Sequence, residues 1–388
     1  MPASPSTARA INDRLALRLL QREGPLTAGQ LKQLTGLSRP TVADLVERLA
    51  AAGLIEVAGE SGEQRRGPNA KLYGIVADRA QLAALDVRTE GVSVVVSDLL
   101  GRVLAESSAP IGGDIGTGPA VEQAVALVER VAKEAGADRL HTVGIGAPGL
   151  IDPATGELRK STGLPEWHRR LVAALQERLP DARVHVENET NLAALAEQRD
   201  GVAQDRDTFV LLWLGHGTGA AVVLDGSLRR GASGGTGEIG FLPVPGTAGL
   251  PSATGCEGGF HSLAGSAAIA ELAGEYGVVA EADGHAPVAA GLVAAGSAAF
   301  LDALADRLAV GVSSVVAVLD PGCVVLGGEV GQAGGEGLAA RVEERVRRMS
   351  PLPTEVRSSA LGGAAVLRGA LLTARDRAQD ELFSPPER

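Results

Sequence analysis

TAGQLKQLTGLSRPTVADLVERLAAAGLIEV, residues 27–57, is the stretch on which the reading of this chain turns. Thr27 followed by Gln30 three positions on is a capping-box signal, in which two side chains satisfy orphan backbone NH groups at a helix start. Gly36 supplies a turn, Ser38 is a good N-cap, and Pro40 stands in a first helical turn, where proline is tolerated. Val42, Leu45, Val46 and Leu49 fall at i, i+3, i+4 and i+7, which predicts a second helix buried along one face. Its opposite face presents Arg39, Thr41, Asp44 and Arg48. Gly53 ends that helix and Leu54–Val57 reads as a strand. Upstream, Ile11, Leu15, Leu19 and Leu20 recur at helical spacing and predict a helix ending at Gly24-Pro25.

The polar run that follows, GESGEQRRGPNAK (59–71), reads as the tip of a wing. Together these elements resemble the winged-helix domains of bacterial repressors. The resemblance implies Arg39, Thr41 and Arg48 as major-groove contacts. It also implies that Ser38 and the wing, through Arg65, Arg66 and Lys71, contact phosphate or the minor groove. The alternative is a small three-helix bundle that binds protein through a solvated charged face. The basic wing directly after the third helix argues against it.

Charge is distributed unevenly. The whole chain carries 36 Lys+Arg against 47 Asp+Glu, a net −11, but residues 1–78 alone sum to +2 and the remainder to −13. A mildly basic head on an acidic body restricts any nucleic-acid footprint to the head. With 388 residues the chain accommodates two or three domains. Only 2 % of residues are aromatic, so a core must be built of Ala, Val and Leu. Cys256 and Cys323 form no disulfide framework, which fits a reducing, cytoplasmic setting. The first residues lack an apolar run of signal-peptide type, and the most apolar segments are interrupted by Gly, His or Asp, so neither export nor a membrane partner is expected.

Beyond Gln81 the periodicity changes to short apolar strands. LAALDVRTEGVSVVVSDLLGRVLAE (82–106) and TFVLLWLGHGTGAAVVLDGSLRRGA (208–232) share a strand, loop, strand, turn, strand plan, the second with Asp225-Gly226 as a hairpin turn. Two such units, each followed by helices, predict a duplicated α/β fold with a cleft between halves. Four further segments are VGIGAPGLIDPATGELRKSTGL (143–164), VHVENETNLAALAEQ (184–198), GASGGTGEIGFLPV (231–244) and LDPGCVVLGGEV (319–330). In this order they resemble the ROK family of bacterial sugar kinases and sugar-responsive repressors. The resemblance implies an α/β chain with two parts. Residues 1–78 would form an N-terminal winged helix-turn-helix, and 79–388 a two-lobed actin/hexokinase-like (duplicated ribonuclease H-like) body with its cleft near 186–191. It also implies a homodimer or dimer of dimers, operator DNA as partner, and a carbohydrate effector.

Several family positions are altered. The catalytic Asn-Asp pair of the kinases corresponds to Asn188-Glu189, whose extra methylene moves the carboxylate by roughly 1 Å. The first phosphate loop, Asp-x-Gly-Gly-Thr in the family, is Asp86-Val87-Arg88-Thr89-Glu90, and the second, Gly-Thr-Gly, is Gly215-His216-Gly217. Gly327-Gly328 is retained, either on the adenosine side or as a close-packing device. The zinc motif is lost in register. Phe241 replaces its histidine, and Ser252, Thr254 and Gly259 stand at cysteine positions, so no metal is expected. Cys256 and His261 as a relocated half-site is the competing possibility. The family's sugar contacts map to Asn188, Glu189, Glu238, Phe241 and His261. The expectation is a regulator whose body binds an effector without catalysis or cofactor. The alternative is an active kinase, using ATP and Mg²⁺, with Asp86, Asn188 and Glu189 carrying the chemistry.

Overall fold

The computed structural model describes residues 5–61, 70–112, 115–159, 164–247, 249–252, 258–280 and 287–384, with side chains from residue 8. Helices α1 (Pro5–Glu23), α2 (Ala28–Thr35) and α3 (Arg39–Ala51) pack with strands β1 (Leu26–Thr27), β2 (Ile55–Glu60) and β3 (Lys71–Ile75) in sheet order β1-β3-β2. The capping box forms: the Thr27 side chain accepts from the Gln30 NH, and Gln30 Oε1 accepts from the Thr27 NH at 2.8 Å. Gly36 closes α2 in the left-handed region (φ 71°), and Ser38 Oγ accepts from the Thr41 NH at 3.3 Å. Val42, Leu45, Val46 and Leu49 are all buried, as their spacing predicts. Helix α1 departs in part from its expected face. Leu19 and Leu20 are buried as expected, but Ile11 and Leu15 are exposed, and Ala16 and Leu17 are buried in their place.

The body begins without a free connector, through a 3₁₀ turn at Ala77–Arg79. The first half holds β4 (Gln81–Arg88), β5 (Gly91–Asp98), β6 (Val103–Pro110), α4 (Thr117–Glu134), β7 (Leu140–Ala147), α5 (Glu166–Arg178), β8 (Arg183–Asn188) and α6 (Glu189–Asp200). The second holds β9 (Phe209–Leu214), β10 (Thr218–Leu224), β11 (Ser227–Arg229), α7 (His261–Ala264), α8 (Ser266–Glu275), α9 (Val288–Ala294), α10 (Ala298–Leu319), β12 (Cys323–Gly327), α11 (Gly328–Met349), β13 (Glu355–Ser358) and α12 (Ala365–Leu382). The sheets run β6-β5-β4-β7-β8 and β11-β10-β9-β12-β13, the same order and the same mixture of antiparallel and parallel pairings. The duplication is therefore one of topology. The Asp225-Gly226 turn has φ of 54° and 70°, the left-handed pair that a tight hairpin requires.

Each half has its own apolar core on its outer side. A third, including Leu192, Phe209, Leu211, Val325 and Val366, lies where α6 and α12 are held between the sheets. The fourth crosses from head to body: Leu17, Leu20 and Leu45 share it with Leu82, Leu99, Ala378 and Phe383. The Leu99 NH donates to Ala77 O at 2.9 Å, and Gln379 Nε2 to Leu99 O at 2.9 Å. Arg14 and Arg18 of α1 both pair with Asp380 of α12. Among the described residues no helix is long and apolar enough to cross a membrane.

Candidate nucleic-acid interface and cleft

In the head, Ser38 and Arg39 are exposed at the start of α3, Thr41 is half-buried, and Lys71 is exposed at the start of β3. Arg65 and Arg66 lie outside the described residues. Arg48 has partners that its spacing did not announce. It donates to Asp13 Oδ1 of α1 at 2.6 Å and pairs with Asp44 one turn back, its side chain only 30 % exposed. These bonds brace α3 against α1, while Arg39 is exposed at the start of α3.

In the body, β4 delivers Asp86 and Arg88 to the cleft, and the two-residue Thr89-Glu90 turn brings the chain back into β5. Arg88 is held by three partners at this turn. Its Nε donates to Asp86 Oδ2 at 2.9 Å, Nη1 pairs with Glu329 at the start of α11, and Nη2 donates to Gly363 O at 2.9 Å. His168 Nε2 meets Arg88 O at 3.2 Å, and burial pushes this imidazole down to about 4, so it is neutral at pH 7. The second turn faces the same acid: a methyl group on Gly215 would lie 3.3 Å from Glu329 Oε2. Gly328 sits at φ 75°, and a methyl there would meet Leu214 O at 2.3 Å. That contact makes the Gly327-Gly328 pair a packing device between β9 and α11, whatever else it does.

Asn188 caps α6. Its Oδ1 accepts from the NH groups of Thr190 (2.9 Å) and Asn191 (3.3 Å), and its Nδ2 donates to Gly149 O at 2.9 Å. Its acceptor is thus used internally, and one N–H remains for a ligand. Glu189 follows at the first helical position. Burial, then the charges of Asp86 and Glu329, push its carboxyl up to about 8. Arg88 opposes the shift and Glu238 adds to it. Glu238 is exposed at the cleft mouth, and Phe241, 43 % exposed, closes the short 3₁₀ turn Ile239–Phe241. His261 opens α7, and methyl groups on Gly217 and Gly240 would meet it at 3.6 and 3.7 Å. Burial lowers its pKa. A methyl on Gly219 would lie 3.5 Å from Thr190 Oγ1, which joins the α6 end of the cleft to the β10 end.

Several residues of this site carried no signal in the sequence. Glu187 of β8 accepts from the Asn188 NH (3.0 Å) and Asn191 Nδ2 (2.9 Å), and pairs at 2.7 Å with Arg230, beyond β11. Arg88–Glu329 and Arg230–Glu187 therefore tie the two halves at two places. Glu197, fully buried in α6, accepts from the Val202 NH (2.9 Å), the Leu361 NH (3.1 Å) and Ser359 Oγ, which fixes the loop that precedes α12. A separate cavity of about 350 Å³ lies beside the ends of α4 and α5. Two pairs of its lining charges meet each other, Arg139 with Asp181 at 3.3 Å and Arg178 with Glu129 at 3.0 Å.

The zinc position of the fold was tested against its donor set. Tetrahedral zinc requires four N, S or O ligands. Phe241 and Gly259 supply none, and the His261 ring packs against Gly265, where a methyl would come within 2.9 Å of it. Thr254 and Cys256 lie outside the described residues. Among the described residues no group of three His, Cys, Asp or Glu converges as a metal site. Among the described residues, the side chains at these positions do not supply a zinc ligand set.

A winged helix joined to a two-lobed, sugar-kinase-like α/β body is the class of protein this architecture defines. The profile of the ROK family matches residues 84–377, and that of the MarR family residues 11–67. The chain belongs to the ROK family. It is 25 % identical over 240 residues to the xylose repressor of Caldicellulosiruptor bescii, covering 61 % of this chain and 59 % of that protein. The chain thus spans about three-fifths of the length of the curated relatives it matches. The solved structure of a ROK family transcriptional regulator, a homologue of the Escherichia coli MLC protein, superposes with a TM-score of 0.76 at 22 % identity, covering 97 % of this chain and 98 % of that one. The ROK hexokinase of Thermus thermophilus superposes at 0.62 with 30 % identity, over 77 % of this chain and 99 % of that one.

Proposed function

We propose that this chain is a DNA-binding transcriptional regulator of the repressor type, whose body senses a sugar or sugar derivative and does not phosphorylate it. The observation that carries this reading is the core shared by the head and the body. The head is seated on α12 through α1, and the other end of α12 begins beside the Arg88 contact at Gly363, which couples the head to the cleft. In a homodimer or dimer of dimers two such heads address successive half-sites, and closure of the lobes around a ligand changes their spacing. Support also comes from relatives that are themselves named as repressors.

In this reading the body needs no cofactor. Arg88 and Glu329 stand where nucleotide phosphates would approach the two turns, which favours binding without turnover. One observation favours a second reading, an ATP-dependent sugar kinase with an appended head. Glu189 retains a carboxyl group at the position of the kinases' base, although burial pushes it up to about 8, so that it would act as a base only above neutral pH.

Footprinting should reveal a discrete operator. Arg39→Ala should cost about 1–3 kcal/mol on that operator and much less on random DNA, because an arginine–guanine contact discriminates by that amount. Equal losses on both would remove Arg39 from base reading. A coupled ADP-release assay over a sugar panel should remain at background. Turnover abolished by Glu189→Ala would establish the kinase.

A further inference from the structure

The chain passes from the second sheet to the first at residues 359–364. β13 belongs to the second sheet, and the Ser359 NH still donates to Leu326 O of β12 at 3.0 Å. α12, which follows, packs on the first sheet, so closely that a methyl group on Gly144 of β7 would meet Ala370 O at 2.5 Å. The crossover is fastened from three sides. The Leu361 NH donates to buried Glu197 of α6 at 3.1 Å. Gly362, at φ 49°, lies against Gln332 of α11, where a methyl would come within 1.8 Å of Oε1. The Gly363 carbonyl accepts from Arg88 Nη2 of β4 at 2.9 Å. Any rotation of one half against the other must be absorbed in such a connection, and a left-handed glycine is suited to absorb it.

Arg88 joins this crossover to both halves at once, through Asp86 on its own strand and Glu329 in the first turn of α11. The two acids hold it unequally. Asp86 is 3 % exposed, whereas the side chain of Glu329 is 16 % exposed and that of Arg88 33 %. Burial pushes the Asp86 carboxyl up, and the Arg88 charge beside it draws it down. Parting Arg88 from Asp86 would strand a buried acid, but water can reach both Arg88 and Glu329 when they separate. The bond that gives way between the halves is therefore Arg88–Glu329. We propose that Arg88 is a latch: paired with Glu329 it fastens the two halves and the Gly362–Gly363 crossover, and its release loosens the head through α12. The far end of α12 pairs Asp380 with Arg14 and Arg18 of α1 and shares the apolar core of the head. Arg88 is thus a positioning residue for DNA binding, acting from the opposite end of α12. The inference rests on the reading of the chain as a DNA-binding regulator and names the regulation of its cleft.

The test is hydrogen exchange of the full chain without DNA, read on peptides covering residues 359–366. Glu329→Gln leaves Asp86 paired with Arg88 and should speed exchange there about tenfold, while β4 and β9 keep their rates. Arg88→Lys keeps a charge beside Asp86 but lacks the fork that spans Glu329 and the carbonyl, and should do the same. The double variant should exchange no faster than either single one, because both remove one shared contact. Operator affinity should fall about tenfold in each variant, and affinity for random DNA much less. Exchange within about twofold of the parent chain in both single variants, or additive effects in the double one, overturns the latch. Faster exchange with unchanged operator affinity overturns its link to the head. If the parent chain footprints no operator, the regulator reading fails, and the exchange rates still decide whether Arg88 fastens the crossover.

Discussion

Glu189 is held above the ordinary carboxylate range by burial and by the acids around it, so it is protonated at neutral pH in the folded chain and ionised in the unfolded one. The sign of the consequence follows directly. A raised folded-state value contributes stability that is fully present below the unfolded value, near 4.5, and is lost as pH rises through about 8. Glu189→Gln cannot titrate, so its stability relative to the parent chain should rise from pH 5 to pH 9 by on the order of 4 kcal/mol. Denaturant melts at both pH values check this, and a pH-independent difference would show that Glu189 is ionised throughout. At this scale legibility was uneven. Asn188, Glu189 and the glycine-to-Arg88 departure stood out within single motifs. Glu329, 241 positions from Arg88, and Arg230, 43 from Glu187, become neighbours only through the crossing connections of two sheets. No local pattern encodes that meeting.

Helix α3 illustrates what periodicity does and does not convey about an element. Its buried stripe was readable because four apolar residues at helical spacing have only one way to leave water. Its polar face was readable as polar, but the division of labour on it was not. Arg48 lies 30 % exposed against Asp13 of α1, a contact set by the angle between two helices rather than by either sequence. Arg48→Ala is therefore expected to destabilise the head by about 1–2 kcal/mol through the part-buried, charge-assisted bond to Asp13. DNA affinity should fall in parallel for operator and random sequences, read by thermal melts and titration on both DNAs. A selective loss of base preference would instead return Arg48 to the major groove. Helix α1 was read only in part: Leu19 and Leu20 of its stripe are buried, but Ile11 and Leu15 are exposed, and Ala16 and Leu17 join the face that meets the body.

Across the whole molecule, α12 runs from the cleft to the head. Its 18 residues span about 27 Å at 1.5 Å per residue. The loop before it is pinned by Glu197 and touches Arg88, and its far end carries Asp380 against α1. Exposed ion pairs such as Arg14–Asp380 contribute little by themselves, so the apolar contact must seat the head. Phe383, just past the helix and 5 % exposed, is the sharpest test. Phe383→Ala should cost about 3–5 kcal/mol, with the amides of α1 losing hydrogen-exchange protection before those of the sheets. Unchanged α1 protection would mean that the head is held by something else. The two-lobed topology was readable from the repeated strand plan, whereas this seam was not, because Ala378 and Phe383 reach it from the opposite end of the chain.

That seam has a bearing on how such proteins diversify. A winged helix cut away at residue 78 would expose Leu82, Leu99, Ala378 and Phe383, and a foreign one would have to match all four at once. Heads of this kind are poor cassettes for shuffling. New operator preferences are more readily acquired by point substitution at exposed positions such as Arg39, which leave the seam untouched. Engineered chimeras should transplant the end of α12 together with the module it supports.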